Sequence, residues 1–426
     1  MSARTKHVVL WGAWYGSRNV GDQALLLAIT RMLEDLVGDI RFTVLTNNKP
    51  HVESYAARES GCRIDVLQSR RELRRVVAAI RDADLLIFGG GVPFFDAPWQ
   101  LCVMGFLAAT AQLFGTPLMT WSTASQEIRR PAARRLFRWI GNRAAAVTCR
   151  DDSTLRMLKN CGVSRPLNIT ADAVFRLEPE KSRIAHEIIG RSGRRIETRP
   201  LAALTPRLLR SSDSEAATHY NDKSAEECRR IVDVFATACD WLWGAGYQPI
   251  FIPMNTVAPD DDREAARLVL EKTRCRAHCL FVDESIRPRV ASSVYGQCDL
   301  AFVARVHGAV TAMLGRCPMM MYAFAPKHFG MMQSLGMERF TLDERSADGA
   351  AATRMLSELI TSRGAVRSLM LARLVQLRED ALAPARIAAE ILELTRSDAN
   401  SAELTDSLVA RTLNAPLPAE TLREAA

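Results

Sequence analysis

No apolar stretch of this 426-residue chain runs unbroken long enough to cross a bilayer. The longest, Leu101 to Trp121, is divided by Gln112, Gly115 and Pro117 and reads as a buried helix followed by a short strand. Paired cysteine spacing is absent as well: ten cysteines lie scattered, which favours free thiols in a reducing compartment. Cys275, His278 and Cys279 crowd one stretch, but no second ligand pair follows at zinc-site spacing. They are therefore expected to be packing residues, and no metal is expected. At the start, Arg4 and Lys6 precede an apolar run of only four residues, Val8 to Trp11, which is too short for a secretory leader. The expected location is cytoplasmic.

Also missing are zinc-finger spacing, an RNA-binding signature and any aromatic-studded basic stretch, so no nucleic-acid partner is expected. The net charge of +8 arises from 56 basic against 48 acidic residues, a modest bias that suits phosphorylated substrates or an anionic membrane surface. Basic runs at Arg70-Arg71, Arg74-Arg75, Arg129-Arg130 and Arg134-Arg135 recur at helical spacing and read as solvated helix faces, with a peripheral contact to the inner membrane face as the minority reading.

What the chain does contain is alternation. Apolar strand-like runs at Val8–Trp11, Phe42–Leu45, Leu85–Phe88, Leu118–Trp121 and Ala145–Cys149 are separated by helical patterns. A second series follows at Leu201–Thr205, Pro249–Ile252, Leu280–Val282, Leu300–Val303 and Met319–Tyr322. The fold class implied is α/β, with two Rossmann-like doubly wound domains at 1–178 and 201–345. Residues 179–200 form the connection, with at most a short turn near Ile184–Ile189, and 346–426 form a helical C-terminal region. The polar segment Asp213–Ser224 is expected to be an exposed loop, placed to act as a lid.

Candidate chemistry gathers just past strand ends, where open α/β folds bind ligands. Arg305-Val306-His307 holds a fixed cation and an imidazole two residues apart, at a junction where a helix N-terminus favours anions. Gly16, Asn19, Gly21 and Asp22 punctuate the first strand-to-helix loop, which matches neither the nucleotide-triphosphate nor the dinucleotide glycine pattern. Asp22 is either a helix cap or a substrate contact. Gly89-Gly90-Gly91 permits close backbone approach, and Asp96 follows it. Asp152 or Ser153 is placed to cap the helix after Arg150-Asp151, while Asp172 and Arg207 also follow strands.

Taken in order, these segments resemble the polysaccharide pyruvyl transferase family over roughly Val8 to Met337. The resemblance rests on Gly16/Asn19/Gly21/Asp22, the glycine triplet, Arg150/Asp151/Ser153, Asp172, Arg207, Arg305/His307, Tyr322 and Lys327. It implies two GT-B-like domains facing a cleft and transfer of the pyruvyl carbons of phosphoenolpyruvate to sugar hydroxyls as a ketal. The acceptor would be a polysaccharide or its lipid-linked precursor, as in exopolysaccharide synthesis, and no cofactor is implied. On this basis Arg207 and Arg305 would clamp the donor, and His307 would act as acid and base. Asp172 would steady the developing cation or orient the sugar. Lys327 would take the leaving phosphate, and Asn19, Asp22 and Gly89–Gly91 would contact substrate. Ser122-Thr123-Ala124-Ser125-Gln126 stands where the family commonly has a Gly-Pro turn. The rival reading is a GT-B-like glycosyltransferase using a nucleotide sugar, and a third is a saccharide-binding protein without turnover.

Overall fold

Strands whose residues are apolar on both faces must be covered on both, and that is how the first apolar run folds. In β1 (Lys6–Trp11) every residue is buried, with Val8 and Leu10 in one apolar cluster and Val9 and Trp11 in another on the opposite face. The computed structural model describes residues 4–12, 14–17, 19–59, 61–126, 128–193, 198–208, 225–258 and 260–394.

The first sheet is fully parallel, in the order β3-β2-β1-β4-β5-β6-β7, with strands at Lys6–Trp11, Ile40–Thr46, Arg63–Gln68, Leu85–Gly89, Leu118–Thr123, Ala146–Cys149 and Leu167–Ile169. The second, also parallel, runs β10-β9-β8-β11-β12-β13, from Leu201–Thr205, Gln248–Phe251, Leu280–Phe281, Leu300–Val303, Met319–Ala323 and Thr341–Asp343. In both, the chain starts mid-sheet, builds outward, then crosses to the other side. That reversal leaves a crevice at the carboxyl ends of β1/β4 and β8/β11. The two crevices face each other.

Three elements lack the strong periodicity of the others and were not foreseen. The edge strand β3 is half exposed, α2 (Lys49–Glu59) buries only Val52, Tyr55 and Glu59, and β13 is three residues long. Where only a short turn was expected, α7 (Ser182–Arg191) forms a ten-residue helix, because Ala185, Ile188 and Ile189 make one apolar stripe against α10 (Pro288–Tyr295). Asp213–Ser224 lies outside the described residues.

Helix α13 (Gly349–Leu394) is 46 residues long, a rise of roughly 69 Å. It packs on α8 (Ala225–Gly244) of the second unit and on α1 (Val20–Val37) and the 3-10 turn Ala173–Arg176 of the first. One apolar cluster therefore continues from β1 and α1 through Val174 and Phe175 to α13 and the second sheet. This shared core fixes the two sheets relative to each other. The remainder of the expected helical C-terminal region, 395–426, lies outside the described residues.

Candidate active site

Where β11 ends, Arg305 caps α11 (Val306–Leu314) with extended backbone and no side-chain capping bond. Its guanidinium is held from two sides. Nε and Nη2 donate to the Asp262 carboxylate, Nη1 donates to Asp260 at 2.7 Å, and Nη2 also donates to the Asp260 carbonyl. Past β8, Arg207 makes a bidentate pair with the same Asp260 at 3.0 and 2.7 Å and lies over the Phe324 ring. Burial works against the charge on Asp260, but Arg207 and Arg305 prevail and hold its carboxyl well below the usual range. Of the five guanidinium N–H groups, Arg207 keeps three without a partner among the described residues, and Arg305 keeps one. The expected two-armed clamp is thus asymmetric. Sequence reasoning missed Asp260 and Asp262; the signal available was the triple-acid run Asp260-Asp261-Asp262 just past β9.

The first residues of α1 cross to the second domain. Val20 N–H donates to the Met254 carbonyl and Asn19 bridges Asn255, so the start of α1 lies against the α11 N-terminus. A Cβ on Gly21 would fall 2.0 Å from Nδ1 of His307, so only glycine fits there. On the ring's other side, Nε2 lies 3.5 Å from Oδ2 of Asp172, which also accepts from Arg150 at 2.8 Å. Asp172 has no exposed side-chain surface. Burial opposes its charge, but the nearby His307 ring and the Arg150 guanidinium hold its carboxyl well below the ordinary range. Asp172 sits behind the ring, between His307 and Arg150.

Asp22 does not cap α1; Asn19 does, accepting from the Gly21 N–H at 2.8 Å. The part-buried Asp22 carboxylate instead accepts from the Ser17 hydroxyl. Burial pushes its carboxyl up, against the pull of His307, Ser17, Lys327 and Arg305. Gly90 and Gly91 adopt left-handed φ of 68° and 69°, and Gly91 approaches Oδ1 of Asp22. The triplet is buried, with the Tyr15 hydroxyl donating to the Gly89 carbonyl. It supports Asp22 from below. Asp96 is spent on the backbone N–H groups of Arg129 and Arg130. Asp151, not Asp152 or Ser153, caps α6 (Asp152–Asn160).

Lys327 lies in the first turn of α12 (Pro326–Leu335), whose N-terminus, like that of the neighbouring α11, has no side-chain cap. Burial, then Arg207, Arg150 and Arg305, push its ammonium down to about 7, with Asp260 pulling the other way. Next to it, His328 was not singled out; it is buried against Phe324 and driven well below its ordinary value by burial and by Lys327. Tyr322 faces the core beside Phe235 and stays out of the cleft. Ser122 takes a φ of 40°, where glycine would be unstrained, held by Thr148 and Thr170.

The family model of polysaccharide pyruvyl transferases matches residues 19–324, more than half of the chain. The chain belongs to the polysaccharide pyruvyl transferase family. The matched span takes in Asn19, Asp22, Asp172, Arg207, Asp260, Asp262, Arg305 and His307, while Tyr15 and Ser17 lie just before it and Lys327 and His328 just past it. Among curated proteins none matches the chain. Solved structures with the same fold include UDP-GlcNAc 2-epimerase from Neisseria meningitidis, at TM-score 0.58 and 8% identity over 91% of this chain and 100% of that one. A putative UDP-N-acetylglucosamine 2-epimerase from Listeria monocytogenes follows at 0.59 and 12%, over 93% and 98%. The UDP-forming trehalose-phosphate synthase from Burkholderia vietnamiensis stands at 0.51 and 12%, over 92% and 100%. At such identities the likeness establishes the GT-B-like fold of this transferase and nothing about its substrates. Among the described residues, no helix is long and apolar enough to cross a membrane. The one grouping there with metal-ligand geometry is Cys239, Cys275 and Cys279, at the amino end of β10 and away from the cleft.

Proposed function

We propose that the protein transfers the pyruvyl group of phosphoenolpyruvate to two hydroxyls of one sugar in a polysaccharide or its lipid-linked precursor, forming a ketal and releasing phosphate. The reading is carried by the convergence of Arg207, Lys327 and the His307–Asp172 pair on one cleft, in a chain of this family. The donor's carboxylate fits the N–H edge of Arg207 that is unpaired among the described residues, with Arg305, itself held by Asp262, fixing Asp260, which in turn aims Arg207. Its phosphate fits Lys327 and the uncapped α12 N-terminus.

His307 delivers a proton to the methylene carbon as the first sugar hydroxyl adds to the neighbouring carbon and gives its own proton to the donor's phosphate, which carries it away on leaving. Phosphate then leaves with the C–O bonding pair, and the second hydroxyl closes the ketal as its proton passes to the neutral imidazole, which restores the starting state. Asp172 steadies the imidazolium. Asp22 with Asn19 on the first domain faces the acceptor. No cofactor is needed, because the donor already carries the activated carbon. The net charge of +8 favours peripheral contact with an anionic inner membrane face, where a lipid-linked acceptor would lie.

The test is incubation with phosphoenolpyruvate and candidate glycans. Phosphate release that depends on both, with an acceptor mass gain of about 70 Da, supports the reading. Uridine or guanosine diphosphate release from a nucleotide sugar would overturn it in favour of glycosyl transfer.

A further inference from the structure

Two of the three thiols at the amino end of β10 are local partners. Cys275 precedes and Cys279 follows the single 3-10 turn Arg276–His278, so the turn brings residues four apart to one side. The third, Cys239, comes from α8, thirty-six residues earlier, a partner that motif spacing alone does not reveal. Their Sγ atoms stand 3.6 Å (Cys239 to Cys275), 3.5 Å (Cys239 to Cys279) and 3.8 Å (Cys275 to Cys279) apart. For a tetrahedral ion with metal–sulfur bonds of ~2.3 Å, the edge between two sulfurs is ~3.8 Å. The trio makes one near-equilateral face of that tetrahedron.

The surroundings fix this face. Asp240, next to Cys239 on α8, accepts from the backbone N–H of Arg274 (2.8 Å) and Cys275 (3.0 Å) and from the Thr273 hydroxyl (2.5 Å), which pins the turn to the helix. Such outer hydrogen bonds orient ligands. Cys239 and Cys275 are buried and Cys279 is part-exposed, leaving a way in for an ion.

We propose that Cys239, Cys275 and Cys279 bind one thiophilic d10 cation, Zn2+ by preference, with the fourth position open to water or an exogenous thiol. Binding converts the thiols to thiolates and releases their protons to solvent. The ion staples α8 to β10, a two-residue strand at the sheet edge, and so braces the second domain from the side opposite the cleft.

The experiment uses untagged full-length protein, reduced and stripped with chelator, then titrated with Zn2+ and with Co2+. Expected are one equivalent of zinc, a higher thermal midpoint, and near-ultraviolet thiolate-to-cobalt charge transfer with the visible absorption of a tetrahedral site. Cys275→Ser and Cys279→Ser, checked for folding by circular dichroism, should each weaken zinc binding by roughly 100-fold or more. Cys102→Ser, at an exposed thiol on α4 (Pro98–Phe114), should change nothing. The proposal is overturned by folded wild-type protein that gives no thiolate-to-cobalt charge transfer, by cysteine variants that bind as the wild type does, or by loss of two thiols to a disulfide on handling in air with no metal uptake beforehand.

Discussion

Replacing Gly21 with alanine adds one methyl group at a close contact between the two domains. Its carbon would stand 2.0 Å from Nδ1, 2.3 Å from Cγ and 2.7 Å from Cε1 of His307. Atoms in ordinary contact sit ~3.5 Å apart, so the ring or the start of α1 must retreat by roughly 1.5 Å. The ring is the softer of the two, because α1 is tied across the interface through Val20 and Asn19. A shift of that size breaks the 3.5 Å approach of Nε2 to Asp172. Misplacing a reacting group by about 1 Å costs on the order of 100-fold, so kcat for phosphate release should fall at least that far. KM for phosphoenolpyruvate should change little, since Arg207 and Lys327 are untouched. Overpacking should also lower stability by about 1–3 kcal/mol. The control is Gly364→Ala, in α13 with nothing near its added carbon, which should leave activity alone and stabilise by about 0.5–1 kcal/mol. A folded Gly21→Ala enzyme with wild-type kcat would refute the assignment of His307.

Asp262→Ala removes a carboxylate that is 1% exposed and accepts from Arg305, Met254 N–H and Asn255 N–H, so urea unfolding should report a loss of roughly 3–5 kcal/mol; a value under 1 kcal/mol would contradict the scaffold role of the pair. Asp172→Asn should keep the fold but lower kcat by about 10²–10⁴-fold with little change in phosphoenolpyruvate binding. Lys327, with its ammonium pushed down to about 7, is largely neutral in the free enzyme at pH 8, and an anion beside it restores the proton. Phosphoenolpyruvate affinity should therefore be flat below about 7 and fall as pH rises through it. Calorimetry in buffers of different ionisation heat should record uptake of close to one proton at pH 8. Lys327→Met should abolish that uptake, and uptake unchanged in the variant would exclude the lysine. The sign for stability is the reverse: unliganded protein gains from this group between about 7 and the unfolded lysine value of ~10.4, because the unfolded chain then binds more protons.

Much of the frame could be read from residue order. Period-two and period-3.6 apolar patterns located every strand buried on both faces, because such strands must be apolar throughout. Edge elements carry less of that signal, which is why β3 and β13 escaped. The motif residues were found because strand ends are where parallel sheets expose them. Their roles were less legible: Asp22 had the look of a cap until Asn19 took that position, and Asp151 displaced Asp152 in the same way. For Arg305 the sequence offers both a donor clamp and pairing with a nearby acid, and nothing in its own stretch announces Asp260 and Asp262, which lie more than forty residues earlier.

Sequence by itself determined the two parallel sheets, the positions of the catalytic candidates along them and membership in the family, since all three follow from local spacing and pattern. Tertiary structure alone decided which charges meet. It spent Arg305 on two acids, turned Arg207 onto one of the same pair, set His307 between Gly21 and Asp172, and brought Cys239 to Cys275 and Cys279. The reason is physical: a charge or thiol is defined by neighbours within a few ångströms, and in an α/β fold those neighbours arrive from strands and helices far apart in the chain.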